Sequence, residues 1–180
     1  AAQALGGVPV PLYQDAVAEE MVNVLNNADA EIAVVEDQEQ VDKLIEIRPR
    51  CPQLTHIIYD DPRGLRHYGA RDLHSYEEVR GVGQVRDREH PEFFEREVEE
   101  GKGSDIAIML YTSGTTGSPK GVCLTHDNLI ITGRNGIERE GLGADEEVLA
   151  YLQMAWVGDN LFSYTQSYVA GFCVSCPEGP

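Results

Sequence analysis

The chain has 180 residues, enough for one domain with a substantial core, and 42% of them are hydrophobic. Its 31 acidic and 14 basic residues give a net charge of −17, which repels nucleic-acid backbones and anionic membranes, and the excess of acid reads as a solubilising surface. No apolar run approaches the length of a membrane span, and no basic-then-apolar signal opens the sequence, so the expectation is a cytoplasmic protein with no transmembrane segment and no nucleic-acid partner.

In chain order, Gly6 to Tyr13 alternates small apolar residues with prolines and reads as an extended edge. Ala16 to Ala28 follows as an amphipathic helix, with Gln14 or Asp15 as its cap and Val17, Met21, Val24, Leu25 and Ala28 on one face. Glu31 to Val35 is a short buried strand. Gln38 to Ile47 is a second helix, with Val41, Leu44, Ile45 and Arg48 at spacings of three and four, stopped before Pro49. Leu54 to Tyr59 is the next strand. Strands alternating with helices of this length predict an α/β fold with a largely parallel sheet flanked by helices.

The stretch Asp61 to Gly103 is less informative. Asp72 to Val79 reads as a short helix capped by Ser75. Pro91 to Glu100 reads as an acidic helix with Phe93, Phe94 and Val98 turned inward. His67, His74 and His90 lie in polar stretches and read as surface histidines.

Asp105 to Leu110 is a buried strand, and it runs directly into Tyr111-Thr-Ser-Gly-Thr-Thr-Gly-Ser-Pro-Lys-Gly121. Glycines let a backbone approach a ligand closely, and successive N–H groups in such a loop make an anion site. The hydroxyls of Thr112, Ser113, Thr115, Thr116 and Ser118 add donors, Lys120 adds a point charge, and no acidic residue opposes them. The spacing excludes both the Walker P-loop and the G-x-G-x-x-G dinucleotide fingerprint. After the loop, Gly121 to Thr125 is a strand that closes a hairpin around the anion site. Thr125 then caps a helix from His126 to about Ile137, with Asp127 suited to its first turn and His126, beside the cap, in a structural role, the other reading of this histidine being a catalytic group. Gly133, Asn135 and Gly136 weaken the end of this helix, and Gly141 to Gly143 is a turn. Glu147 to Gln153 is a further strand, and Leu161 to Ala170 is a buried helix. Cys51, Cys123, Cys173 and Cys176 are scattered as free thiols of a reducing compartment, and the Cys173-x-x-Cys176 pair reads as core cysteines rather than as a metal or redox centre.

The run from Tyr111 to Asn128, with its Pro-Lys-Gly-Val and Leu-Thr-His-x-Asn, resembles the phosphate-loop signature of the adenylate-forming, AMP-binding enzymes. These include acyl-CoA synthetases, peptide-synthetase adenylation domains and beetle luciferases. Gly6 to Tyr13 resembles the segment such synthetases carry upstream of the loop. Leu152-Gln-Met-Ala-Trp156 is similar to a further motif of the family, with Gln153 in place of the usual proline. The run Trp156-x-Gly-Asp-x-x-Phe-Ser-x-x-Gln166 looks most like the bacterial long-chain acyl-CoA synthetases.

The resemblance implies an ATP-dependent acid–thiol ligase that activates a carboxylic acid, here a long-chain fatty acid, as its acyl-adenylate before transfer to coenzyme A. It assigns Thr112, Ser113, Gly114, Thr115, Thr116, Gly117 and Lys120 to the phosphates of ATP. Within that set Lys120 and Thr116 carry the catalytic role, and Thr115 helps orient Mg²⁺. It places Trp156, with Gly158 beside it, on the acyl pocket; the other reading of this tryptophan is a core anchor. The family's Tyr-Gly-x-Thr-Glu motif, its ribose-binding aspartate and its C-terminal lysine are not found in these residues. Residues 1–180 are therefore expected to be one incomplete domain, a central piece of the acyl-CoA synthetase-like large domain with its loop at 111–121. By itself this piece is expected to be inactive without the remainder of its chain. The alternatives are a non-catalytic nucleotide- or phosphate-binding module, a structural or interaction domain descended from the fold, and an adenylating enzyme for another carboxylate.

Overall fold

The computed structural model describes residues 2–69, 71–112 and 119–177. The chain divides into two compact units, one of residues Gln14–Arg96 and one of Ala1–Tyr13 with Glu97–Pro180. Among the described residues the strands form three small sheets, two parallel and one antiparallel. This is the expected α/β architecture.

In the first unit, α1 (Ala18–Asn27) precedes strand β1 (Ile32–Val35), and α2 (Gln38–Ile47) crosses from β1 to β2 (His56–Tyr59). A parallel pair cannot be closed by a tight turn, so the chain between β1 and β2 needs an element of this length. Strand β3 (Leu73–Ser75) adds to the far side of β2, giving a parallel sheet in the order β1-β2-β3. Asp37 caps α2 by accepting from the Gln40 N–H, and Val41, Leu44 and Ile47 are at most 1% exposed. Each such burial contributes about 1.5–3 kcal/mol, more than any helix propensity in this segment. Ile47 takes the inward position that the spacing gave to Ile45, which is 37% exposed. Arg48 faces Asp72 instead of the core: its Nη1 donates to Asp72 Oδ1 at 2.9 Å, and its Nη2 binds Oδ2 of the same carboxylate. This fork ties the end of α2 to the residue before β3.

Three other expectations for this unit are corrected. Helix α1 starts at Ala18, and neither Gln14 nor Asp15 caps it; Val17 is the cap residue and is 57% exposed. Leu73 to Ser75 is strand rather than helix, because its backbone is drawn into the ladder with Ile57, Ile58 and Tyr59. Ser75 still caps as expected, accepting from the Glu78 N–H while Glu78 reaches back to the Ser75 N–H, and the helix it starts, α3 (Tyr76–Glu89), runs ten residues past Val79. In α4 (Phe93–Glu100), Phe94 and Val98 are about half exposed, and Phe93 is covered by the Arg86 and Arg96 guanidiniums, 4.5 and 5.6 Å from its ring centre.

The second unit is built on an antiparallel hairpin, β4 (Ile106–Thr112) and β5 (Lys120–Thr125). Ala107, Ile108 and Leu110 of β4 make a small core with Leu129 and the partly buried Leu124. The Pro9 carbonyl accepts from the Met109 N–H at 3.0 Å, so the proline-rich start runs as the expected extended edge beside β4. Helix α5 (His126–Glu140) follows β5 without a break and ends at Gly141, whose φ of 70° closes it. It continues three residues past Ile137 despite its glycines, because these are where it meets its neighbour. A Cβ on Gly133 would lie 2.8 Å from Thr165 Cγ2, and one on Gly136 would overlap the Gln166 amide.

That neighbour is a helical run, α6 (Val157–Asp159), a π-helical segment (Asn160–Thr165) and α7 (Gln166–Ala170). The wider turn is closed by Thr165 Oγ1 donating to the Asn160 carbonyl at 2.7 Å. Strands β6 (Glu147–Leu149) and β7 (Cys173–Ser175) pair in parallel across this run. Strand β6 stops four residues before Gln153, since β7 offers only three pairing positions.

Candidate functional site

The register of the hairpin sets the site. Thr112 lies opposite Lys120, Tyr111 opposite Gly121 and Leu110 opposite Val122. Directly opposed residues of an antiparallel pair lie about 5 Å apart and share a face of the ribbon. The two ends of the 113–119 segment are thus held together, with the Thr112 hydroxyl and the Lys120 ammonium exposed at the mouth. Ser113, Gly114, Thr115, Thr116, Gly117 and Ser118 lie outside the described residues.

Gly121 shapes the mouth. A Cβ there would stand 2.9 Å from Met109 Sδ and 3.2 Å from Tyr111 Cζ. The missing side chain is the space in which the Tyr111 ring crosses the ribbon. Burial pushes the Tyr111 phenol above its ordinary value, and the Cys123 thiol nearby adds to the shift.

The start of α5 is already satisfied by protein. Thr125 Oγ1 accepts from the Asn128 N–H at 3.1 Å, and Asn128 Oδ1 accepts from the Thr125 N–H at 3.0 Å. The His126 and Asp127 N–H groups donate to the Asp105 and Gly103 carbonyls. Thr125 and Asp127 therefore act as expected. His126 fastens the chain through its backbone and lines an open groove of about 1260 Å³ with Leu5, Val98, Ile106, Leu129 and Tyr164. This groove lies at the start of β4, about 20 Å of strand from Thr112, and among the described residues none of the predicted site residues lines it.

Trp156 and Gly158 sit at the beginning of the helical run. The Trp156 N–H donates to the Gln153 carbonyl at 2.9 Å, so Gln153 supports a tight turn here without the proline. Asn160 Nδ2 donates to the Met154 and Trp156 carbonyls at 2.7 and 2.9 Å, fixing the backbone around the tryptophan. The indole is not a core anchor: Trp156 is 54% exposed, beside Tyr151, Met154 and Val157 at 74%, 64% and 56%. A Cβ on Gly158 would come within 3.2 Å of Leu152 Cδ1, so the glycine lets Leu152 pack under the first turn. The structure thus brings Thr112 to Lys120 and sets Trp156 next to an exposed apolar run.

The cysteine pair is corrected in one respect. Cys173 and Cys176 are exposed rather than in the core, while Cys51 is buried. Residues 173–175 are extended strand, which carries the Cα of residue 176 about 10 Å from that of residue 173, beyond the reach of a disulfide. Among the described residues, no group of three or more His, Cys, Asp or Glu side chains is placed to hold a metal ion, and no helix is long and apolar enough to cross a membrane.

Comparison with known proteins bears on these features. A family model described as "AMP-binding enzyme" matches residues 1–180. Long-chain-fatty-acid–CoA ligase ACSBG2 of Xenopus laevis is 32% identical over 158 residues, covering 84% of this chain and 20% of the relative. The corresponding ligase of Gallus gallus is 33% identical over 164 residues, with the same coverage. The chain therefore spans about a fifth of the length of these relatives. Among solved structures, the anthranilate CoA ligase AuaEII in complex with anthranoyl-AMP superposes with a TM-score of 0.71 at 21% identity, over 98% of this chain and 32% of the other. A putative long-chain-fatty-acid CoA ligase from Rhodopseudomonas palustris superposes with a TM-score of 0.69 at 14% identity, over 96% of this chain and 39% of the other. These likenesses give the fold as that of the acyl-CoA ligases' adenylate-forming domains, and the chain belongs to the AMP-binding enzyme family.

Proposed function

We propose that residues 1–180 are the central piece of an incomplete AMP-binding domain, and that the whole protein is an ATP-dependent ligase joining a long-chain fatty acid to coenzyme A. One observation supports this most directly. The hairpin register holds Thr112 against Lys120, at the two ends of a segment rich in hydroxyls and glycine and free of acid. That donor set suits a polyphosphate. The fatty-acid substrate rests on the names of the relatives and on the exposed apolar run around Trp156. A reducing, cytoplasmic compartment belongs to the same reading and rests on the scattered cysteines.

A carboxylate is a poor electrophile with a poor leaving group. Attack of its oxygen on the α-phosphate of ATP expels pyrophosphate and leaves a mixed anhydride, from which the thiol of coenzyme A displaces AMP to form the thioester. In this reading Lys120 and the hydroxyls of Thr112, Ser113, Thr115 and Thr116 hold the β- and γ-phosphates, with Gly114 and Gly117 admitting them to the backbone N–H groups. Lys120 and Thr116 carry most of the stabilisation as charge moves onto the departing pyrophosphate. Thr115 would help hold Mg²⁺ together with the phosphates and water, and the ion would supply charge neutralisation there. No general base is required of the chain, since the acid arrives ionised. Trp156, with Gly158 letting Leu152 pack under the turn, forms one wall for the acyl chain.

The whole protein tests the reading. With ATP and CoA, acids of sixteen to eighteen carbons should outrun acetate, anthranilate and amino acids, and Lys120→Ala should lower kcat/KM about 100-fold, the usual loss for one transition-state donor. Preference for a short or aromatic acid overturns the substrate assignment. An unchanged rate in Lys120→Ala overturns the role of the loop.

A further inference from the structure

Two histidines that the sequence keeps eighteen residues apart meet on the sheet of the first unit. His56 opens β2 and His74 is the middle residue of β3. The ladder pairs Ile57 with Leu73 and Ile58 with His74, so His56, Ile58 and His74 lie on one face, opposite the face that Ile57 buries. Their rings are 5.3 Å apart between centroids and tilted by 45°, with His56 Nδ1 only 3.2 Å from His74 Nε2. His56 is exposed, and the strand next to it presents the exposed Ile32 and Val34 on the same face. Water and ions reach the pair.

Two imidazole nitrogens bound to one metal at about 2.0–2.1 Å, with a ligand–metal–ligand angle between 90° and the tetrahedral value, stand about 2.9–3.4 Å apart. The observed separation falls inside that interval. Both side chains rise from paired strands, so little ordering entropy is lost on chelation. We propose that His56 and His74 form a two-histidine chelating site for a divalent ion of the zinc, nickel and copper class, with water completing the coordination sphere. Imidazole selects this class over magnesium or calcium. The balance is simple. With both rings neutral, the single proton between the two nitrogens moves away as the tautomers rearrange: His56 keeps its hydrogen on Nε2 and His74 keeps its on Nδ1. The two lone pairs then bind the ion with no net proton release. When a ring is protonated, each bound ion displaces that proton. Chelation would fasten β3, which is joined to β2 over only three residue pairs.

The test is calorimetric titration of Ni²⁺ into the 180-residue chain in about 150 mM salt, which screens diffuse attraction to the acidic surface. The exposed thiols of Cys123, Cys173 and Cys176 are first capped with iodoacetamide. One Ni²⁺ should bind per chain. His56→Asn and His74→Asn should each weaken it at least tenfold, whereas His67→Asn and His90→Asn should leave it unchanged. In parallel, Ni²⁺ should raise the Tm of the parent chain and of the His67 and His90 variants, but not of the His56 or His74 variants. Absence of a site in the parent chain, or equal binding in all four variants, overturns the proposal.

Discussion

A glycine and a tyrosine set the geometry at the mouth of the hairpin. The Tyr111 ring crosses the ribbon only because position 121 has no Cβ, and the burial that results raises its phenol pKa from an ordinary value of 10.0. A raised pKa means that the folded chain holds this proton more tightly than the unfolded one. Below the ordinary phenol range both states carry the proton, and the contribution of Tyr111 is fully present. As the pH rises past that range, the unfolded chain loses its proton first and the contribution is lost. We expect stability to fall more steeply as the pH rises past the ordinary phenol value of 10.0 in the parent chain than in Tyr111→Phe, measured by urea unfolding at each pH. Parallel curves for the two would remove the burial argument. Negative charge at Cys123 adds to the cost of a phenolate beside it.

Among the elements, α5 best illustrates how packing outranks propensity. Each interior glycine costs about 1 kcal/mol relative to alanine. The sequence therefore predicts an end near Ile137, yet the helix continues to Glu140 because Gly133 and Gly136 let it lie against Thr165 and Gln166. A valine at 133 would drive branched methyls into the Thr165 methyl and backbone, whereas Gly136→Ala meets only the movable end of Gln166. Gly133→Val should cost about 1–3 kcal/mol, read as a lower urea midpoint, and Gly136→Ala should be near neutral as its helix propensity offsets the adjustment. Equal midpoints for the two variants would mean that the helices do not pack through Gly133.

The same contrast explains what the sequence could and could not reveal. The caps Ser75 and Thr125, helix α2 and the loop-closing hairpin were legible because each depends on residues within four positions of one another, or on an apolar run broken by glycines. Strand β3 has no local signal, because Leu73, His74 and Ser75 become strand only by pairing with β2, and the meeting of His74 with His56 follows from that register alone. The helical spacing by itself points Ile45 inward, and only the packing on the sheet selects Ile47. The exposure of Trp156 depends on the tertiary surroundings of its turn, and no local pattern encodes those.

At the scale of the molecule, the decisive quantity is how many parts of one reaction the chain can hold at once. Adenylyl transfer from ATP to the carboxylate gains its rate chiefly from holding carboxylate and nucleotide in one attack geometry, an effect that can reach about 7–11 kcal/mol. The chain spans about a fifth of its curated relatives, and the proposed assignments within it reach the β- and γ-phosphates and one wall of the acyl pocket. The residues that would fix adenine, ribose and the α-phosphate are not among them. A grip on the β- and γ-phosphates steadies charge on the departing pyrophosphate but supplies no alignment at the reacting α-phosphate, so without the carboxylate held in line there is no attack for it to accelerate. Purified as these 180 residues, the chain should therefore bind ATP with Mg²⁺ weakly in calorimetry, and binding should weaken further in Lys120→Ala. It should catalyse no fatty-acid-dependent exchange of labelled pyrophosphate into ATP. Exchange above the level of a Lys120→Ala control would mean that residues 1–180 already contain a complete adenylation centre, and the division of labour proposed for the whole protein would have to be redrawn around them.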